Sequence, residues 1–499
     1  MRRIPTVCRV FLFAAVLPCL VTAHASRTDK ESLPPQVPVE KTKEAVLPKT
    51  VIDVVVVGPF YEPCFERFKE EGEEHGIGLS VTCLPKDVGF EAVETMLERG
   101  DADLLLIPPG WLPRFAESGL LLPIDGLEGI QDAGLGDIFL PMLDFYCRYD
   151  GRLYGLPLDG DVRLFYYRKD LLEDPAEKSM FEREYGYALS VPRTVAQAVD
   201  FSRFFTRTQG SVLAGEVLTH DFYGIGMALG PGWCHYEWLD RFLSCGGIYF
   251  DGDLQPLIAD ERGVKALEDL KRLLQYAPPD TISWGYREVK EEFAGGHIAS
   301  LVLWSDLFKL IHEAENTLLS GRIGIAHVPG RAVNGGFDFR ALMSGGGIMT
   351  VASSTGKPDA SLWVAVAMST GAEQFVFDPR TRCDPFRYSH TAGTPALAET
   401  LSDILSSEVS EKEAAEYLNA VRESMEHGVP ALTIPSSDDY LDMLDLYIHR
   451  VLTEEMEPEL ALKRAAEGWD AISIEYGFKL QEKSWRSVYT VWERLFPFE

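Results

Sequence analysis

Two apolar runs near the start of the chain leave few architectures open. Val51 to Val57 is continuous and β-branched, which marks a strand buried on both faces. Ala102 to Ile107 repeats the pattern, and Gly78 to Cys83 forms another strand between them. The charged segment Pro59 to His75 ends at Gly76 and reads as a helix. Asp87 can cap a second helix, with Phe90, Val93, Met96 and Leu97 on one face and Gly100 at its end. Strand and helix alternate as βαβαβ, which predicts an α/β fold built on a doubly wound sheet. Any ligand crevice should then lie beyond the carboxyl ends of the strands.

Charge narrows the partners. Lys and Arg number 47 against 77 Asp and Glu, for a net charge of −30. A nucleic-acid binder needs a basic face, so no nucleic-acid partner is expected. The 499 residues, 46% of them hydrophobic, are enough for a large core.

The first 25 residues read as a secretory signal. Arg2, Arg3 and Arg9 precede an apolar run from Val10 to Val21, and Ala23-His24-Ala25 is a small-x-small cleavage site. The run is well short of the roughly 20 residues a spanning helix needs. Lipoprotein processing at Cys19 is the less favoured alternative, because Pro18 stands where a small residue is expected. The mature protein is thus expected in the periplasm or outside the cell. Residues 26–50 hold Pro34, Pro35, Pro38 and Pro48 among Lys and Glu and read as a disordered linker. Cys64, Cys83, Cys147, Cys234, Cys245 and Cys383 remain in the mature chain, an even number that permits disulfides in an exported protein. Cys64 and Cys83 fall at the same sheet edge and make a reasonable pair. Cys234 and Cys245, if one helix joins them, are about 16 Å apart at ~1.5 Å per residue, too far to bridge.

Further along, Val264, Leu267, Leu270, Leu273 and Leu274 mark a helix from about Glu261 to Tyr276. Gly345-Gly346-Gly347 precedes an apolar strand, Ile348 to Ala352, and the last hundred or so residues are mainly helical. Several ordered motifs run through this framework. Asp103-Leu104-Leu105-Leu106-Ile107 is followed by Ala116-Glu117-Ser118-Gly119-Leu120-Leu121. Gly151-Arg152-Leu153-Tyr154-Gly155-Leu156-Pro157 is followed by Tyr167-Arg168-Lys169-Asp170-Leu171-Leu172. Phe293-Ala294-Gly295-Gly296-His297-Ile298-Ala299 is followed by Trp304, and Pro385-Phe386-Arg387-Tyr388-Ser389 comes last. In this order, from about Val51 to Trp469, the set resembles the carbohydrate-binding family of extracellular solute-binding proteins of ABC importers, typified by maltose-binding protein.

The resemblance implies two doubly wound α/β lobes joined by hinge crossings, with the ligand in the cleft between them. The N-terminal lobe would be 51–158 plus 329–388 and the C-terminal lobe 159–328 plus 389–499. It implies a monomer that takes a small carbohydrate or similar polar solute and delivers it to the membrane permease subunits. No cofactor and no metal are implied.

A neutral sugar needs aromatic planes for its C–H faces and polar groups for its hydroxyls. Trp304 falls where the family places a stacking Trp. Asp161 aligns with a sugar-contacting Glu, and Asp159 lies beside it at the first crossing. Tyr236 falls on a ligand-contacting Tyr, in the dense stretch Trp233-Cys234-His235-Tyr236-Glu237-Trp238 ahead of a helix; Trp233 is a candidate with it, whereas Trp238 is expected to pack in the core. Trp111 follows the third strand and can serve as a platform. Phe60, Tyr61 and Glu62 follow the first strand and can line the crevice. Asp306 reads as a helix cap and Arg387 as a structural salt bridge. Ile107 and Gly110 stand where maltose-binding protein carries a Trp and an Asp, so the ligand is not expected to be a maltodextrin.

The sequence has no HExxH, no Gly-x-Ser-x-Gly and no Walker-type loop, and the chain is read as a non-enzyme. Two alternatives stay open: a binding-protein-like sensor feeding a signalling partner, and a glycoside-acting enzyme using a carboxylate pair.

Overall fold

The computed structural model describes residues 49–313, 319, 321–333, 336–344, 346–393, 395–405 and 409–496. The expected signal segment, nearly all of the expected linker and Gly345 lie outside the described residues.

Eight strands organise the site: β1 (Thr50–Val57), β2 (Ile77–Leu84), β3 (Leu104–Ile107), β4 (Gly155–Asp159), β5 (Arg163–Arg168), β6 (Ser300–Trp304), β7 (Ile323–Ala326) and β8 (Gly347–Val351). The first sheet runs β2-β1-β3-β8-β4 and the second β6-β5-β7. β1 pairs in parallel with β2, Val54 opposite Val81, and with β3, Val54 opposite Leu104. Every residue of β3, β4 and β8 is buried, which is why these segments, Asp159 and Thr350 apart, are apolar without alternation. β8 closes the sheet antiparallel to both β3 and β4. In the second sheet β6 and β7 flank β5 antiparallel. Where a doubly wound sheet would continue, the chain adds isolated parallel bridges, Tyr223 to Ile298 and Gly226 to Leu301.

Local expectations hold with small shifts. The helix Phe90–Arg99 is capped by Gly89 rather than Asp87, and ends at Gly100 with φ 74°. Asp260 caps the helix Glu261–Leu274 through the amides of Arg262 and Gly263. The helix expected after Trp238 begins earlier, at Cys234, so the aromatic stretch is itself its first turn. Its first turn faces the interior, and Trp238 packs on Phe242 with its indole N–H donated to the Gly263 carbonyl.

The chain leaves the first sheet at Asp159 and enters the second at Arg163. A later pass, Cys383 to Phe386, lies against this crossing. The Gly160 amide donates to the Asp384 carbonyl at 3.2 Å. A Cβ on Gly160 would sit 2.4 Å from the Pro385 carbonyl oxygen and 2.6 Å from the Phe386 Cβ. Only glycine lets the two backbones approach this closely. The C-terminal helix Phe478–Leu495 spans widely separated parts of the chain: Lys483 pairs with Glu117, Arg494 with Asp144, and Trp485 donates to the Asp251 carbonyl. No described helix is long and apolar enough to cross a membrane.

The contact at Gly160 makes a prediction. Gly160→Ala should destabilise the protein by at least about 1–3 kcal/mol, the usual cost of overpacking, read as a lower midpoint in thermal or urea unfolding. An unchanged midpoint would show that the two passes separate freely.

Candidate functional site

The ends of β4 and β6 meet at the junction of the two sheets, and the site is built there. Asp159, the last residue of β4, is buried. Its Oδ2 accepts from the Tyr61 hydroxyl at 2.6 Å, and its Oδ1 from the Asp384 amide at 2.7 Å. Tyr61 stands in the single turn after β1 (Pro59–Tyr61), so the end of one strand is tied to the end of another. The Asp384 carboxylate in turn accepts from the Ser305 hydroxyl at 2.6 Å and lies 3.4 Å from the Lys309 ammonium. Lys309 also donates to the carbonyls of Val376 and Cys383. Asp306 accepts from the Tyr286 hydroxyl at 3.0 Å and faces Arg382 at 3.6 Å. It is therefore more than the helix cap its position implied.

Asp161 differs from these. It is only partly covered, yet its Oδ1 is shut from solvent and has no hydrogen-bond partner; the Asp384 Oδ1 also lacks one, but it faces the Lys309 ammonium. A Cβ on Gly346 would stand 2.4 Å from the Asp159 carbonyl oxygen, and Gly346 has φ 80°; the Gly-rich turn thus presses on the Asp159–Asp161 backbone.

Electrostatics follow from crowding four carboxyls together. Burial pushes Asp159 up to about 6 and Asp384 up to about 7. Burial, then the charges of Asp159, Asp384 and Asp306, raises Asp161 well above the ordinary carboxylate range. Burial works against the Lys309 charge, but Asp384 and its neighbours outweigh it and raise its pKa.

Beside the carboxyls stands an aromatic wall. Trp304, the last residue of β6, is 8% exposed. Its ring centroid is 5.0 Å from Tyr236, 5.9 Å from Trp233 and 5.9 Å from Tyr286. Trp304 is in register with Arg163, the first residue of β5, so the two side chains share a face. The Arg163 guanidinium lies 4.6 Å from the Trp304 ring. That guanidinium is buried, held by Asp240 at 2.8 Å and Glu237 at 2.9 Å. The Trp304 indole N–H donates to Ser344 at 2.8 Å. Asp161 raises the Tyr236 pKa through its charge, although burial is the larger cause. Val162, next to Asp161, exchanges hydrogen bonds with Ser305, next to Trp304, so the unpartnered oxygen and the wall belong to one neighbourhood.

The structure brings together Trp304, Tyr236, Trp233, Asp159, Asp161 and Tyr61. Trp111 packs edge-on against Phe90 and Phe115, and its indole reaches Asp438. Glu62 opens the helix Glu62–Glu74 and is exposed. Arg387 is buried among the carbonyls of Ser369, Gly134 and Ala133 and pairs with Asp137 at 3.7 Å, a structural role. Tyr286, Ser305, Lys309, Ser344 and Asp384 join the site without having been expected from the sequence. No local motif marks them; only the Pro385-Phe386-Arg387 stretch lay close to one of them. The Cys64–Cys83 pairing is corrected as well: the Cys64 sulfur faces Cys383 instead. Among the described residues no group of three His, Cys, Asp or Glu side chains is arranged to hold a metal ion.

A site of this shape, at the junction of two sheets, is what a solute-binding protein requires. The sequence pattern of the bacterial extracellular solute-binding proteins matches residues 56–376. The chain belongs to that family. It is 25% identical over 217 residues to a probable amino-acid ABC transporter periplasmic-binding protein of Sinorhizobium fredii, covering 42% of this chain and 44% of that one. It is 25% identical over 342 residues to the mannitol-binding protein of Pseudomonas aeruginosa, covering 66% and 72%. The chain thus spans under half the length of the Sinorhizobium relative, 44%. Its fold matches that of the sugar-binding protein MalE from Xanthomonas citri with a TM-score of 0.67 at 21% identity, over 85% of this chain and 98% of that one.

The raised carboxyls set a pH dependence. Asp159 near 6 and Asp384 near 7 compare with about 4 in an unfolded chain. The native state therefore keeps protons that the unfolded state has released. The stability contributed by this cluster is fully present below about pH 4 and is lost as pH rises through about 6–7. Asp161→Asn removes one member of the cluster. Its unfolding midpoint, relative to wild type, should rise between pH 4 and pH 8. A difference that does not change with pH would exclude charge crowding as the cause.

Proposed function

We propose that this chain is the solute-binding receptor of an ABC importer, holding a carbohydrate or polyol between two lobes and delivering it to membrane permease subunits. The observation that carries this reading is the unpartnered Asp161 Oδ1 beside the Trp304, Tyr236, Trp233 and Tyr286 rings. A buried acceptor without a donor is costly, and a ligand hydroxyl supplies one. The rings offer flat apolar surface to the C–H face of the same ligand. The match to a mannitol-binding protein over 72% of its length supports a polyol as well as a sugar.

The lobes we propose are 51–158 plus 329–388 and 159–328 plus 389–499, with the last helix reaching across both. Trp304, Asp161, Tyr236 and Trp233 form the ligand contacts. Asp159 and Tyr61 act behind them, because both Asp159 oxygens are already engaged. Trp111 and Glu62 would serve at the rim. That engagement also favours binding over glycoside cleavage. Hydrolysis needs two carboxyls free to flank the scissile bond, whereas Asp159, Asp306 and Asp384 are all committed to protein donors. Closure around the ligand gives the permease a distinct surface to recognise. The mature protein acts as a monomer in the periplasm or outside the cell.

A thermal-shift panel of monosaccharides, oligosaccharides and polyols tests the reading. A ligand at 100 times its Kd stabilises by about 2.7 kcal/mol, a shift of several degrees. Trp304→Ala should abolish the shift and leave the far-UV circular dichroism unchanged. A full shift in that variant would remove Trp304 from the site, and no shift from any sugar or polyol in wild type would overturn the proposed ligand class.

A further inference from the structure

The Sγ atoms of Cys64 and Cys383 are 3.4 Å apart, although 319 positions separate them in the chain. Both side chains are fully buried. Cys64 sits in the first turns of the helix Glu62–Glu74. Cys383 is the residue before Asp384, whose amide holds Asp159. The other cysteines lie elsewhere: Cys234 donates to Asp445 at 3.1 Å, Cys245 terminates the helix Cys234–Ser244, Cys147 follows the helix Leu140–Tyr146, and Cys83 is on β2.

We propose that Cys64 and Cys383 form a disulfide in the exported protein, stapling the turn after β1 to the pass that carries Asp384. A disulfide needs the sulfurs at about 2.05 Å, so closing the present gap takes about 1.4 Å, within reach of small side-chain rotations. The step is a two-electron oxidation. One protein thiolate attacks an external disulfide, such as oxidised glutathione or the disulfide of an export-compartment oxidoreductase, and releases one thiolate from it. The second protein thiolate then attacks the mixed disulfide and releases the other. Two protein thiols lose two protons and two electrons, and the external disulfide is reduced to two thiols. Burial raises the Cys383 thiol pKa in the folded state, which disfavours attack there and places bridge formation during folding. The staple rests on the extracellular location of the family, where disulfides persist. Its consequence reaches the site, because the bridge fixes the strand of chain that holds Asp159 in place.

The test is mass spectrometry of the full-length protein, expressed with its own leader and isolated from the exported fraction without reductant. Free thiols are alkylated under denaturing conditions before digestion. The expected result is one cross-linked peptide pair joining Cys64 to Cys383, with Cys83, Cys147, Cys234 and Cys245 alkylated. Reduction of the wild type should then lower its unfolding midpoint by several degrees. Cys64→Ser, Cys383→Ser and the double variant should show the lowered midpoint already and no further response to reductant. Exported protein with both thiols alkylated, or with Cys64 joined to another cysteine, overturns the bridge. Recovery in the cytosolic fraction would instead overturn the compartment reading. Refolding that protein in a glutathione redox buffer would then decide the bridge by the same peptide map.

Discussion

One buried carboxylate holds the junction of this molecule together. Asp159 ends the edge strand β4 of the first sheet, and its two oxygens draw in the Tyr61 hydroxyl and the Asp384 amide. Three separate stretches of chain are thereby fixed to one another where the backbone leaves one sheet for the other. A carboxylate taken out of water must be supplied with donors, and the surrounding groups are arranged to do that. Asp384 has Ser305 and Lys309, and Asp306 has Tyr286 and Arg382. The network is nearly self-sufficient, and that makes its gap informative. Asp161, two residues from Asp159, keeps an oxygen that nothing in the protein satisfies.

The aromatic wall is rigid for a related reason. Trp304 is held from behind by Arg163, and Arg163 is itself locked by Glu237 and Asp240. Buried ion groups of this kind contribute little net stability, but they leave the ring one orientation. Tyr236, Trp233 and Tyr286 meet it at centroid separations of 5.0 to 5.9 Å. A preorganised apolar face next to an unfilled acceptor suits a ligand with one flat side and a fringe of hydroxyls. Rigidity on the wall side keeps the ordering cost of binding low.

The strands of the first sheet were legible because burial on both faces leaves no polar alternation: β3 and β8 read directly as apolar runs. Trp304, Asp161 and Tyr236 were singled out through the family's ordered motifs and stand as the proposed ligand contacts. The start of the helix Cys234–Ser244 was not, because its first turn is aromatic and lacks a side-chain cap. Asp384 was not legible either. Its partner Asp159 is 225 positions away, and nothing local distinguishes it from a solvated turn residue. The same holds for the approach of Cys64 to Cys383. The sheet-edge argument for Cys83 used only neighbouring strands and had no knowledge of a pass returning from the far end of the chain.

The sequence by itself determined the alternation of strand and helix, the acidic balance and the residue types available to a ligand, since these depend on side-chain hydrophobicity and charge along short stretches. Only the tertiary structure decided which carboxyl oxygens are satisfied, which are left open, and which cysteines face each other. Those outcomes depend on distances between segments hundreds of residues apart. Such distances are set where the crossing meets the Pro385–Phe386 pass at Gly160 and the turn before β8 meets Asp159 at Gly346; at both, the absence of a side chain lets the backbones touch.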